Sequence, residues 1–247
     1  METQNQNENS SAPESKLSVP AAIIVAGVIV ALALIYTGGG KGSGSNPDLA
    51  GQKNSEQKKQ ADNVVPVSPG EHILGNPNAQ VMVVEFSDIE CPFCKRFHDT
   101  MHQVIEEYGK DGKVAWVYRH FPLQIHPKAT PEAEATECVW EQGGNELFWS
   151  YLDALFAASL SNNQTDPAVP AQVAKTIGVD MAKYNECTRT RKYQAKVVAQ
   201  MEDGFNSGVT GTPYSIVIAA NGKKFPINGA LPIESVRTVI EQALKEK

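Results

Sequence analysis

Large apolar residues are nearly absent from positions 1–18, continuous over 21–36, sparse again to about Gly70, and periodic from there to the C-terminus. The first stretch, rich in Asn, Gln, Ser and Glu, has too little apolar surface to offset the entropy of ordering and is expected to be a disordered tail. The second, taken with Val19 and Pro20, has the length and lack of charge of a spanning helix, so an anchor is expected over 19–36. Glu2, Glu8 and Glu14 against a lone Lys16 precede it and no A-x-A site follows, which favours an uncleaved anchor over a signal peptide. Residues 37–70, dominated by Gly, Ser, Lys, Gln and Asn, read as a flexible linker, and 71–247 as the folded domain.

Within that domain Val81, Met82, Val83, Val84, Glu85 and Phe86 form a nearly continuous apolar run, the pattern of a strand buried on both faces. Phe97, Met101, Val104, Ile105 and Tyr108 then recur on one helical face, with Gly109 where a C-cap glycine belongs. Residues 114–121 are aromatic and β-branched and stop at Pro122, giving a second central strand and a right-handed parallel strand-helix-strand unit. From about 130 to 208 the period is helical, with a start at Thr130-Pro131, a stop at Gly143-Gly144, and about four helices, the last over roughly 190–205. Two strands joined at Asn221-Gly222 and an amphipathic helix over 233–244 close the chain.

A net charge of -6 and the lack of a basic cluster with interleaved aromatics exclude nucleic acid as a partner. The chemistry sits in Cys91-Pro92-Phe93-Cys94, between the first strand and its helix. Pro92 suits the first helical position, which makes Cys91 the N-cap. There its sulfur faces the free N–H groups of the first turn and the positive end of the macrodipole, both of which favour a thiolate. Cys91 is thus the expected nucleophile and Cys94, one turn inside the helix, the resolving thiol. The alternative, half of a zinc site, needs four ligands, and Cys138 and Cys187 are isolated residues without knuckle spacing. No metal site is expected.

The ordered set Val84-Glu85-Phe86-Ser87-Asp88, Cys91-Pro92-Phe93-Cys94, Tyr118-Arg119-His120-Phe121-Pro122 and Gly208-Val209-Thr210-Gly211-Thr212-Pro213 resembles the DsbA-like disulfide oxidoreductases. The resemblance implies a thioredoxin fold of class α/β, a central mixed sheet flanked by helices, with an all-helical insertion over about 124–190. It implies that Thr212-Pro213 is a cis-proline loop facing the nucleophile. Glu85, which shares a strand face with Val81 and Val83, matches the family's buried acid, with a raised pKa and a role in relaying the Cys94 proton. Cys138 and Cys187 resemble a structural disulfide of some members; in a reducing compartment they would be two buried thiols.

The expected function is therefore a membrane-tethered, extracytoplasmic thiol:disulfide oxidoreductase that introduces disulfides into exported proteins and is re-oxidised by a quinone-linked membrane partner. The N-terminus would be cytoplasmic, the anchor in the bilayer, and no cofactor is required. Phe93 cannot donate a hydrogen bond to the Cys91 thiolate; Lys95 is expected to compensate in part, and Asp88 and Glu90 to oppose. A reductase or isomerase of the same fold, and a tethered chaperone or Cu(I) metallochaperone, are the alternatives.

Overall fold

The computed structural model describes Glu56 and residues 59–247. The tail and anchor expected over 1–36, and most of the linker expected over 37–70, lie outside the described residues. Among the described residues no helix is long and apolar enough to cross a membrane.

Five strands, β1 (His72–Leu74), β2 (Val81–Ser87), β3 (Val114–His120), β4 (Tyr214–Ile218) and β5 (Lys224–Asn228), form one sheet in the order β1-β3-β2-β4-β5. Only the central β2·β3 pair is parallel, with Val83 opposite Trp116 and Glu85 opposite Tyr118; the outer pairs are antiparallel. Among the described residues the helices α1 (Pro92–Val104), α2 (Ala129–Ala158), α3 (Val169–Thr176), α4 (Met181–Arg189), α5 (Gln194–Asn206) and α6 (Ile233–Leu244) accompany it, and a π-helical turn over Ile105–Gly109 extends α1. This is the thioredoxin fold with an inserted helical layer, α2 to α4.

The continuous apolar run of β2 follows from burial on both faces. Val81 and Val83 join Val114, Trp116 and Tyr118 in a core beneath α1, α2 and α6, while Val84 and Phe86 join Val117, Tyr214 and Ile216 in a second core on the other face. Helix α1 presses Cys94, Phe97, Met101 and Val104 into the first core. Helix α5 approaches the opposite face at Gly204, where a Cβ would lie 2.6 Å from Phe121 Cδ2.

Two features differ from the reading of the sequence. Order begins upstream of residue 70: Ala61 and Val64 are buried in the second core, and the Val65 N–H donates to Asp203 Oδ1 at 2.8 Å. The expected stop at Gly143-Gly144 is present, both residues leaving the helical φ/ψ region where two helical segments meet within the range of α2. Strand β1, three residues long, was not expected; it pairs with β3.

Candidate active site

Helix α1 starts as its sequence dictates. Cys91 is the N-cap, with φ -82° and ψ 120°, and Pro92 occupies the first turn. The peptide Thr212–Pro213 is cis and delivers the Thr212 carbonyl oxygen to 3.5 Å from Cys91 Sγ, which donates to it as a thiol. Cys94 is completely buried, and its sulfur accepts the Asp88 N–H at 3.4 Å.

These positions split the two thiols. Cys91 is lowered to about 6, first because the Cys94 thiol donates to it, and then because the backbone N–H groups of Cys94 and Phe93 and the Thr212 side chain stabilise its anion against the penalty of burial. Cys94 is pushed well above its usual 9, chiefly by burial and next by the Cys91 sulfur and the Glu85 carboxyl. At neutral pH Cys91 is a thiolate and Cys94 a thiol.

Glu85 lies behind the pair on β2, 1% exposed, opposite Tyr118 on one side and Ser215 on the other. Burial raises it to about 7, and the Ser87 hydroxyl and Trp116 indole, both outside good hydrogen-bond geometry, offset only part of this. A carboxyl that titrates near neutrality beside a high-pKa thiol is suited to exchange a proton with it.

The charged neighbours do something other than the sequence suggested. Lys95 offers no compensation to Cys91: its Nζ donates to the carbonyl oxygens of Ser159 at 2.7 Å and Ala157 at 3.3 Å, at the end of α2. Asp88 is occupied by three donors, the N–H groups of Glu90 and Leu123 and His126 Nδ1, each at 2.8 Å. Glu90 is fully buried, and its Oε2 accepts the Asn163 N–H. Burial, with Glu90 and Asp88 beside it, raises Glu132 to about 8, so this carboxyl holds a proton at neutral pH. Phe93 is 55% exposed with the Arg96 guanidinium 5.4 Å from its ring, so the rim of the site is apolar and cationic rather than hydrogen-bonding.

Other parts were not foreseen. Beside the cis-proline loop, Phe121, Leu123, Ile125, Met201 and Phe205 line a groove of about 400 Å³ that reaches Thr210 and Gly211. Ile125, 73% exposed, and Phe205, 58% exposed, are its large solvent-facing side chains. The structural disulfide of Cys138 and Cys187, by contrast, was foreseen through the resemblance and is formed, tying α2 to α4. Among the described residues two groups of side chains have metal-ligating composition, His72–His120–Glu137 and His98–His102–Asp153.

A family model described as Thioredoxin matches residues 67–242. The chain belongs to the thioredoxin family. Among solved structures it is similar to DsbA2 of Pseudomonas aeruginosa, with TM-score 0.63 and 25% identity over 74% of this chain and 98% of that one. BdbD of Bacillus subtilis gives TM-score 0.64 and 24% identity over 73% and 96% of the two chains. Among curated relatives, the Na(+)/H(+) antiporter NhaA 3 of Salinispora tropica is 31% identical over 184 residues, 74% of this chain and 26% of the antiporter. NhaA 1 of Mycolicibacterium gilvum is 31% identical over 163 residues, 64% of this chain and 25% of that relative. The chain spans about a quarter of the length of the curated relatives it matches. With its Cys91–Cys94 pair it is a DsbA-like thiol:disulfide oxidoreductase of the thioredoxin family.

Proposed function

We propose that this oxidoreductase works in the oxidising direction, outside the cytoplasm and tethered to the membrane, forming disulfides in exported proteins. The observation that carries the reading is the split between the thiols, about 6 for Cys91 against well above 9 for Cys94. Stabilising the thiolate stabilises the dithiol, and this makes the disulfide the better electron acceptor. A client thiolate attacks Cys91 Sγ of the Cys91–Cys94 disulfide. The S–S bond breaks, and Cys94 leaves with the electron pair and takes a proton from Glu85. A second client thiolate attacks its own sulfur in the mixed disulfide and expels Cys91 as thiolate. The client has lost two electrons and the enzyme has gained them, so a membrane re-oxidant, quinone-linked as in the family it resembles, must remove them.

Three features support the setting. The Cys138–Cys187 bridge suits an oxidising compartment. The apolar run over 21–36 supplies an anchor in sequence. The relatives named as Na+/H+ antiporters work in a membrane, though ion transport itself is not proposed for a chain spanning a quarter of them. The groove at Phe121–Ile125 would take apolar client side chains while the Thr212 edge takes the client backbone. The test is oxidation of a reduced model protein by the oxidised enzyme. Wild type should complete it, Cys91→Ala should fail, and retained activity in that variant would sink the assignment.

A further inference from the structure

Helix α1 carries a second constellation beyond its cysteines. His98 and His102 stand four and eight residues past Cys94, about 6 and 12 Å along the axis, and both reach Asp153 on the second half of α2. His98 Nε2 lies 2.7 Å and His102 Nε2 2.8 Å from the same oxygen, Asp153 Oδ1, and the two nitrogens are 3.2 Å apart.

Hydrogen bonds satisfy this triangle in one way only, with both nitrogens donating to the same carboxylate oxygen. If both nitrogens carry protons, Asp153 Oδ1 accepts both N–H groups on its two lone pairs and the nitrogens are crowded to 3.2 Å. If one nitrogen gives up its proton to accept from the other, its lone pair faces Asp153 Oδ1 at less than 3 Å. A cation bound by the lone pairs of all three atoms is the other arrangement that satisfies them. The circle through the three atoms has a radius of about 1.7 Å, less than the zinc–ligand distance of about 2.0–2.1 Å, so a point at bonding distance from all three lies just off their plane.

We propose that His98, His102 and Asp153 form a binding site for a borderline divalent transition-metal ion of the zinc class, with water completing the shell. Two imidazoles and one carboxylate are the donors such an ion takes, at the i, i+4 helical spacing that puts both rings on one face. The site opens into a cavity of about 320 Å³ lined also by Asp99 and Phe156, which gives the ion an entry path and room for water. His98 is held by ring contacts with Trp116 at 5.1 Å and Phe156 at 4.6 Å, so one ligand is already in place. Lys95, which borders the cavity, has its ammonium engaged by the carbonyl oxygens of Ala157 and Ser159. Bound metal would fasten the helix that bears the redox pair to the helical insertion.

The other cluster does not support a site. His72, His120 and Glu137 are fully buried, and Lys196 Nζ is already seated there, 2.7 Å from Glu137 Oε2 and 3.3 Å from His72 Nε2.

Reduced Cys91 and Cys94 are themselves soft ligands, so the test uses the full chain with that disulfide closed. Titrating metal-free oxidised protein with Co(II) should give one bound equivalent, with visible ligand-field bands and no thiolate charge-transfer band. Zn(II) should displace it and raise the thermal midpoint. His102→Ala, a half-exposed position that can be vacated without opening the core, and Asp153→Asn should each weaken binding at least tenfold and abolish the thermal shift, while Cys91→Ser/Cys94→Ser binds as wild type. Failure of the oxidised wild type to bind, or wild-type binding by both His102→Ala and Asp153→Asn, would overturn the proposal.

Discussion

Cys91 Sγ sits 3.5 Å from the Thr212 carbonyl oxygen although 121 residues separate them, joining the start of α1 to the cis-proline loop. The nucleophile is placed at the free N–H groups of a helix N-terminus, and in the proposed function the same loop would offer a backbone edge to a client.

The first consequence concerns ionisation. A folded-state value near 6 against about 9 unfolded means that the reduced form gains stability from Cys91 as pH rises. The gain is complete above the unfolded value and is lost as pH falls through 6. Alkylation of the reduced enzyme should accordingly show one thiol reacting with a midpoint near pH 6 and a second unreactive below pH 9. The stability gap between reduced wild type and Cys91→Ser should widen between those limits. A first midpoint at 8 or above would remove the basis for a thiolate nucleophile.

Glu85 has the opposite sign. Its value near 7 lies above the usual 4.5, so its contribution is fully present below pH 4.5 and lost as pH rises through 7. Fully buried, it should cost the folded state about 3 kcal/mol by pH 8. Glu85→Gln should equal wild type near pH 4 and exceed it at pH 8 in urea unfolding. The same variant should slow formation of the mixed disulfide from oxidised enzyme at least tenfold, because Cys94 then leaves without its proton donor. Unchanged kinetics with changed stability would leave Glu85 a purely structural liability.

The bridge Cys138–Cys187 closes a loop with sequence separation 49. By the chain-entropy relation its removal as Cys138→Ala/Cys187→Ala should cost about 4 kcal/mol. Denaturant unfolding reads that loss directly. The Cys91 titration should stay where it is, since the bridge ties α2 to α4 and touches neither redox sulfur.

The groove beside the cis-proline loop should act on clients alone. Ile125→Ser and Phe205→Ser remove exposed apolar surface, 73% and 58% exposed, and leave the core intact. Each should raise KM for an unfolded protein client several-fold and leave reaction with a small dithiol unchanged. Equal loss toward both substrates would mean that the groove supports the cysteines and not the client.

The central strands, the helix with the redox pair and the closing hairpin and helix were legible because their apolar residues keep one period over several turns or strand pairs, as from Val81 to Phe86. Strand β1 was not, since three residues such as His72–Leu74 show no alternation. The segment around Ala61 and Val64 was lost because two small apolar side chains in a polar stretch give no period. Gly143-Gly144 was legible as a stop with a restart at Asn145, because both glycines leave the helical φ/ψ region there. Charge was read worst. Lys95 and Asp88 looked like neighbours of Cys91 by sequence distance, but their partners lie in other parts of the chain, at Ser159, Leu123 and His126. The Asp153 that joins His98 and His102 is 51 residues from His102, beyond the reach of any local pattern.

The direction of electron flow is tested most directly by the reduction potential of Cys91–Cys94, measured by equilibration with glutathione while Cys138–Cys187 remains closed. The stabilised thiolate predicts a value clearly more oxidising than thioredoxin's about -270 mV, displaced toward DsbA's about -120 mV. A value at or below about -270 mV would contradict the oxidase account and make the same site that of a reductase.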